Sequence, residues 1–421
     1  MEMRTTNLIS TIQGRRSVLG LWAVAFAFTT AMAFTTVPTP LWSLYAQRDH
    51  FSSLVVTLVF AAYAVAVAVS LFLAGHLSDS YGRRRVLVPA LALNLIAGVV
   101  FVTWPQLPGL LLARVLSGLG IGAVTATATA WLTELHPARR PGGSGRSEGV
   151  AIAANLGGLG LGGLIAGVVA QWAPSPLSLP FMVFIGALLL AEIGLCVAPE
   201  TQERRMHRAR YRPQRVSVPP GSRGQFLAAA AGAAIAFALF GLVTSLAPSF
   251  LAGALHQPSH ALAGAVSFAM FAAAAVAQML SSSRSAQQLL ATAIPALLAG
   301  VALLTLALWL PAPSLAVFLI GDVLAGVGAG LMFKGSISTV AEIALPEHRA
   351  EALAGLFLAA YLGLAGPVIG LGGLTQIAST RVSLLIFSGL LALGILAAAP
   401  ALLGSRGRGP RASARPHPIS Q

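Results

Sequence analysis

Arg114 and Asp322 are ionisable residues set in otherwise apolar stretches, "LLLARVLSGLG" and "LIGDVLAGVGAG". A charge inside an apolar slab is costly, so it is expected to face a cavity or a partner of opposite sign. A carboxylate so placed can take up and release a proton, and a guanidinium beside the same path can modulate it or hold a charged solute. Lys334 lies twelve residues beyond Asp322. That is about 18 Å along a helix, too far for an ion pair within it. Glu192 is the remaining carboxylate inside an apolar run. The chemistry these four suggest is proton transfer and charge recognition. Lys334 is the single lysine and follows Phe333, so no GxxxxGK[ST] phosphate loop exists; HExxH and a plausible GxSxG turn are also absent. Cys196 is the single cysteine, which excludes an internal disulfide and a multi-cysteine metal site; it reads as a buried, inert thiol. Neither a cofactor, a metal nor an enzymatic activity is expected.

The elements that must position these residues follow from composition. The chain has 421 residues, 56% hydrophobic and 9% charged. About 20 apolar residues cross a bilayer as a helix. Twelve such runs occur, near 18–38, 54–74, 86–103, 108–132, 149–170, 180–198, 226–250, 261–281, 288–310, 314–341, 350–375 and 382–403. Backbone amides in lipid must be satisfied within their own segment, so these long runs read as helices. The 44 glycines are then contact points between helices rather than loop residues. "GRRSVLGLWAVAFAFTTAMA" resembles a twin-arginine signal, but its apolar core is too long, and it reads as the first span.

The net charge of +14 is distributed along the chain in a pattern that argues against nucleic acid. Of 26 Lys and Arg, 22 fall in the tails and alternate loops, including Arg83 to Arg85, Arg139, Arg140 and seven between Arg204 and Arg223. Arg48 and Arg381 are the two in the opposite loops. This is the positive-inside pattern. It predicts an inner (plasma) membrane protein with both ends cytoplasmic and anionic lipid near the basic tail.

"RVLSGLGIGAVTATATAWLTEL" (114–135) aligns with "DVLAGVGAGLMFKGSISTVAEI" (322–343) at an offset of 208 residues. Gly118, Gly120 and Gly122 fall on Gly326, Gly328 and Gly330; Glu134 falls on Glu342; Gly158 and Gly162 fall on Gly366 and Gly370; Pro40 falls on Pro248. The chain therefore divides into a six-helix bundle over 1–198, a charged linker over 199–224, a second bundle over 225–404 and a basic tail over 405–421. Both bundles start on the same side, which makes them parallel repeats.

"GHLSDSYGRRR" (75–85) resembles the signature loop of the major facilitator superfamily, matched by Gly75, Leu77, Asp79, Gly82, Arg83 and Arg85. Gly75 and Gly82 suit a tight turn, and Asp79 and Arg83 suit an i,i+4 ion pair. "LLLARVLSGLG" resembles the family's fourth-helix motif, with Ser117 in place of the usual glutamine. "GVAIAANLGGLGLGGLIAG" (149–167) resembles the glycine motif of its antiporters, with Gly163 where proline is usual; "GPVIG" supplies Gly366, Pro367 and Gly370 in the eleventh span.

The resemblance implies an all-α membrane protein of 12 helices in two parallel six-helix repeats. It implies a cytoplasmic latch of Asp79, Arg83 and Glu134, lost from the second half, where the loop reads "SSRSAQQLL". Arg114 and Asp322 would present opposite charges to a solute between the bundles. Phe34, Thr35, Thr36, Phe237, Phe240 and Thr244 would line that cavity. Other in-span polar residues are Thr29, Thr30, Asn94, Asn155 and Gln278. The expected activity is that of a monomeric drug/proton antiporter, exporting a small amphipathic or drug-like solute by alternating access. The alternative is a facilitator or proton symporter importing a sugar, organic acid or other metabolite. A receptor or scaffold without flux is disfavoured by the intact loop and the in-membrane charges.

Overall fold

The computed structural model describes residues 2–75, 77–135, 143–196, 198–202, 216 and 221–404. Most of the expected linker and the whole basic tail lie outside the described residues, as do Arg139 and Arg140. The helices are α1 (Glu2–Thr36), α2 (Trp42–Asp49), α3 (Ser53–Ala74), α4 (Leu77–Tyr81), α5 (Arg83–Thr103), α6 (Leu107–Leu135), α7 (Gly143–Ile152), α8 (Gly158–Trp172), α9 (Leu179–Leu195), α10 (Arg223–Gly253), α11 (His260–Leu280), α12 (Ala286–Trp309), α13 (Leu315–Ile343), α14 (Arg349–Leu374) and α15 (Thr380–Leu403). Among the described residues, 11 segments are long and apolar enough to cross a membrane, and the shorter apolar helix Leu179–Leu195 supplies a twelfth.

Local chemistry sets the boundaries. Ser52, Ser259, Ser285, Ser314 and Ser379 each accept a backbone N–H at the start of α3, α11, α12, α13 and α15, satisfying one of the donors a helix start leaves free. Ser285 and Gln288 form a reciprocal capping box where the second half lacks the acidic-basic loop. The first span departs from expectation. It ends at Thr36, because Pro38 and Pro40 cannot donate to a continuing helix; a 3-10 turn over Thr39–Leu41 leads into α2. The fifth span is interrupted by a π turn over Ala153–Gly157, where Gly158 N reaches both Ala154 O and Asn155 O.

α1, α3, α5, α6, α8 and α9 pack with one another, and so do α10 to α15. The seam between the two groups is α3 against α14 and α8 against α11. Facing lipid, Leu190, Ile193, Leu390 and Leu393 are 63%, 66%, 65% and 65% exposed, as expected where hydrocarbon replaces water. Cys196, expected to be buried, is exposed as the residue that caps the end of α9.

Candidate functional site

The offset-208 glycines make equivalent contacts in both bundles. A Cβ on Gly118 would lie 2.5 Å from Tyr63 O, and one on Gly122 would lie 2.5 Å from Ser70 Cβ, both on α3. The mates Gly326 and Gly330 meet Met270 O at 2.4 Å and Ala274 Cα at 2.8 Å on α11. Gly120 meets Asn94 on α5 and Gly328 meets Leu297 on α12. The correspondence fails in the fifth and eleventh spans. Gly158 and Gly162 press on α1, the latter with a Cβ position 1.8 Å from Ala33 O, whereas Gly366 and Gly370 meet nothing within 4 Å. The close contacts of α14 fall instead on Gly363, against Ala234, and Gly372, against Thr57. Gly366 and Gly370 are therefore not packing glycines, and Pro367 sits inside a continuous helix.

These contacts fix α6 and α13, which carry Arg114 and Asp322. Arg114 is 2% exposed. Its Nη1 donates to Thr35 O at 2.9 Å. That carbonyl lies in the last turn of α1, where acceptors have no partner within the helix and a cation is favoured. The guanidinium Cζ lies 4.4, 5.5 and 5.9 Å from the ring centroids of Tyr63, Phe60 and Trp42. These are cation–π distances. Nε has no hydrogen-bond partner. Among the described residues, no carboxylate lies within ion-pair distance of Arg114.

Asp322 is fully buried, and neither carboxylate oxygen has a partner among the described residues. The expectation that Arg114 and Asp322 face an open solute path does not describe this conformation: both are sealed by packing and they do not pair with each other. Lys334 lies toward the basic-loop end, paired to Glu148 at 2.9 Å. Glu192 sits on α9, which packs on α1, α5 and α8 within the first bundle, away from the face that α3 presents to α14.

An aromatic ladder occupies the second bundle's side of the seam. Phe237 touches Phe333, Tyr361 and Phe240 at centroid distances of 4.8, 5.4 and 6.0 Å. Phe333 touches Phe357 at 5.8 Å, and Phe240 stacks on Phe271 at 5.0 Å. Phe357 also lines a cavity of about 210 Å³ between α3, α6 and α14, whose wall includes Leu71, Phe72, Gly75, Ala126 and Leu353.

Phe34 does not belong to this lining. It packs on Phe101 and Phe181, at 6.3 and 6.5 Å, inside the first bundle. Thr36 Oγ1 is committed to Leu159 O at 2.6 Å, where it joins α1 to α8. Thr35 and Thr244 hydroxyls donate to Met32 O and Phe240 O in their own helices.

At the basic end, Arg83 gathers the acidic residues. Its Nη1 meets Asp79 Oδ1 at 2.6 Å and its Nη2 meets Glu134 Oε1 at 2.7 Å. Nη1 also donates to Ser78 Oγ at 2.6 Å. Gly82 has φ 99°, a left-handed conformation that suits glycine, while Gly75 has right-handed helical backbone angles that any residue adopts. Glu200 accepts from Arg83 N and Arg84 N at 2.9 and 3.0 Å, capping α5. Thr201 Oγ1 and Gln202 Nε2 donate to Glu134. Arg85 is exposed and lines a small cavity with Glu200 and Gln202.

The Major Facilitator Superfamily model matches residues 21–309. The chain belongs to this superfamily. Relatives of this MFS chain include an uncharacterized MFS-type transporter of Methanocaldococcus jannaschii, 25% identical over 41% of the chain and 43% of the relative. The arabinose-proton symporter of Bacillus subtilis is 30% identical over 28% and 24%. The puromycin resistance protein of Streptomyces alboniger is 30% identical over 36% and 29%. The chain thus aligns with less than half the length of each. The structure of the nucleoside transporter NupG superposes with TM-score 0.71 at 12% identity, over 91% of this chain and 99% of that one. The human organic anion transporter MFSD10 gives 0.65 at 18%, over 91% and 99%. These two similarities establish the fold. The superfamily is one of membrane transporters, not of enzymes.

Sequence reasoning missed several residues of this MFS site. Glu200 reads as linker, and nothing in "PETQE" shows that it folds back onto α5. Tyr63, Tyr361, Phe333 and Phe357 are ordinary apolar-run residues until the two bundles are docked. Glu148 reads as the edge of a charged loop.

Proposed function

We propose that this transporter exports a small amphipathic or drug-like solute in exchange for protons, by rocking bundles 1–198 and 225–404 about the seam. The basic end then faces the cytoplasm, and the cavity beside Phe357 is on the solute's route inward. The observation that carries this reading is the aromatic ladder from Phe357 through Phe333 and Phe237 to Tyr361, together with the buried cation Arg114 on α6. Such a wall suits a flat or apolar body better than a polyhydroxylated one. Asp322 is the proposed proton carrier. Its carboxylate has no donor in the bundle, so taking up a proton removes a charge that nothing there compensates. Arg114 is its electrostatic modulator. The similarity to a puromycin resistance protein supports export.

Uptake of a sugar, acid or other metabolite is the second reading, supported by the similarity to an arabinose-proton symporter. A ligand screen by thermal shift, followed by transport in liposomes with an imposed pH gradient, separates the two. Export predicts accumulation of ligand on the acidic side. Co-accumulation of ligand with protons on the alkaline side would replace it with symport.

A further inference from the structure

The fifth span holds the second bundle at both of its ends. At the basic end, on α7, Glu148 Oε1 pairs with Lys334 Nζ of α13 at 2.9 Å. The same ammonium donates to Gln278 O of α11 at 2.8 Å, and Gln278 Nε2 donates to Gly330 O at 3.0 Å. At the opposite end, on α8, Gln171 Oε1 accepts from His260 N at 2.9 Å, Ser259 Oγ at 3.2 Å and Ala261 N at 3.4 Å. An acceptor from the first bundle thereby covers N–H donors that α11 cannot satisfy in its own first turn. Backbone contact backs this second clasp: a Cβ on Gly167 would lie 2.4 Å from His260 O, and one on Gly264 would lie 2.3 Å from Gly163 O.

Between the clasps lies the π turn over Ala153–Gly157. Such turns interrupt the regular ladder and are where helices bend. A straight helix fixed at both ends would lock the bundles together. A helix interrupted at its middle allows one end to leave while the other stays.

We propose that Glu148 and Gln171 are positioning residues of the transport cycle, forming two clasps that release alternately. The Glu148–Lys334 pair holds the basic end shut, the Gln171 cap holds the opposite end shut, and the π turn is the joint between them. Lys334 is the single lysine of the chain, so an amine reagent followed by peptide mass spectrometry reads the basic-end clasp at one side chain. Thr57 is fully buried against Gly372 at the opposite end. Thr57→Cys in a Cys196→Ser background therefore reports opening there by maleimide labelling. Neither reporter needs a known solute, so failure here is distinguishable from failure of the export reading.

Glu148→Gln is expected to speed Lys334 modification severalfold and to slow labelling at position 57. Gln171→Ala is expected to do the reverse at both reporters. A local change in Lys334 chemistry would not move a thiol at the far end. The charge swap of Glu148→Lys with Lys334→Glu rebuilds the ion pair with its signs exchanged, and labelling at position 57 is then expected to return to the wild-type rate. The proposal is overturned if the two reporters move in the same direction in either single variant, if either reporter stays unmoved, or if the swap labels at position 57 like Glu148→Gln alone.

Discussion

Gly162 and Gly370 stand at matching positions of the sequence repeat, yet an added methyl is expected to have opposite consequences at the two. On Gly162 a Cβ would sit 1.8 Å from Ala33 O and 2.5 Å from Thr36 Oγ1. Ordinary contact begins near 3.4 Å, so α1 and α8 must separate by more than 1 Å at their crossing. Overpacking of that kind costs about 1–3 kcal/mol. The separation also stretches the 2.6 Å bond from Thr36 Oγ1 to Leu159 O, worth roughly another 1 kcal/mol. Set against the gain of up to about 1 kcal/mol that alanine brings to a helix, Gly162→Ala is thus expected to lose on the order of 1–3 kcal/mol. On Gly370 the methyl meets nothing within 4 Å, and replacing a helical glycine by alanine favours the helix by up to about 1 kcal/mol. Thermal unfolding in detergent checks the pair. Gly162→Ala should unfold several degrees below the wild type, and Gly370→Ala at or slightly above it. Equal drops in the two, or a Gly162→Ala variant as stable as the wild type, would refute the assigned register of the α1–α8 and α10–α14 crossings.

Three further outcomes follow from named contacts. Arg83→Gln removes two ion pairs; because Asp79 is 65% exposed, most of the expected loss of about 1–3 kcal/mol comes from Glu134, and a double-mutant cycle with Glu134→Gln should show that coupling. Arg114→Lys replaces a planar fork by a point charge, which cannot both stack on Tyr63 and reach Thr35 O; a loss of about 2 kcal/mol in denaturation is expected, and wild-type stability would remove the aromatic box from the account. Native protein should take up one maleimide, at Cys196, without denaturant, and Cys196→Ser should unfold at the wild-type temperature.

Hydropathy and charge placement made the helices legible, because span length and loop charge are set by the bilayer and not by tertiary detail. The glycines at 118, 120 and 122 with their mates were legible as helix contacts for a related reason: a close crossing demands a small residue wherever it occurs. Gly366 and Gly370 mislead because a repeat preserves residues after the crossing itself has moved to Gly363 and Gly372. Phe34 misleads because its position on α1 fixes neither which side of that helix it faces nor the pocket formed by Phe101 and Phe181. Glu148, Gln171 and Glu200 were invisible because each acts on a segment more than 80 residues away, and no local pattern encodes such a partner.

The most direct test of the proposed mechanism is Asp322→Asn in liposomes loaded with a ligand found by thermal shift. The variant should still bind ligand and exchange it in counterflow, but should fail to concentrate it under an imposed pH gradient. Uphill transport at the wild-type rate in that variant would contradict Asp322 as the proton carrier and, with it, the coupling mechanism proposed for this seam.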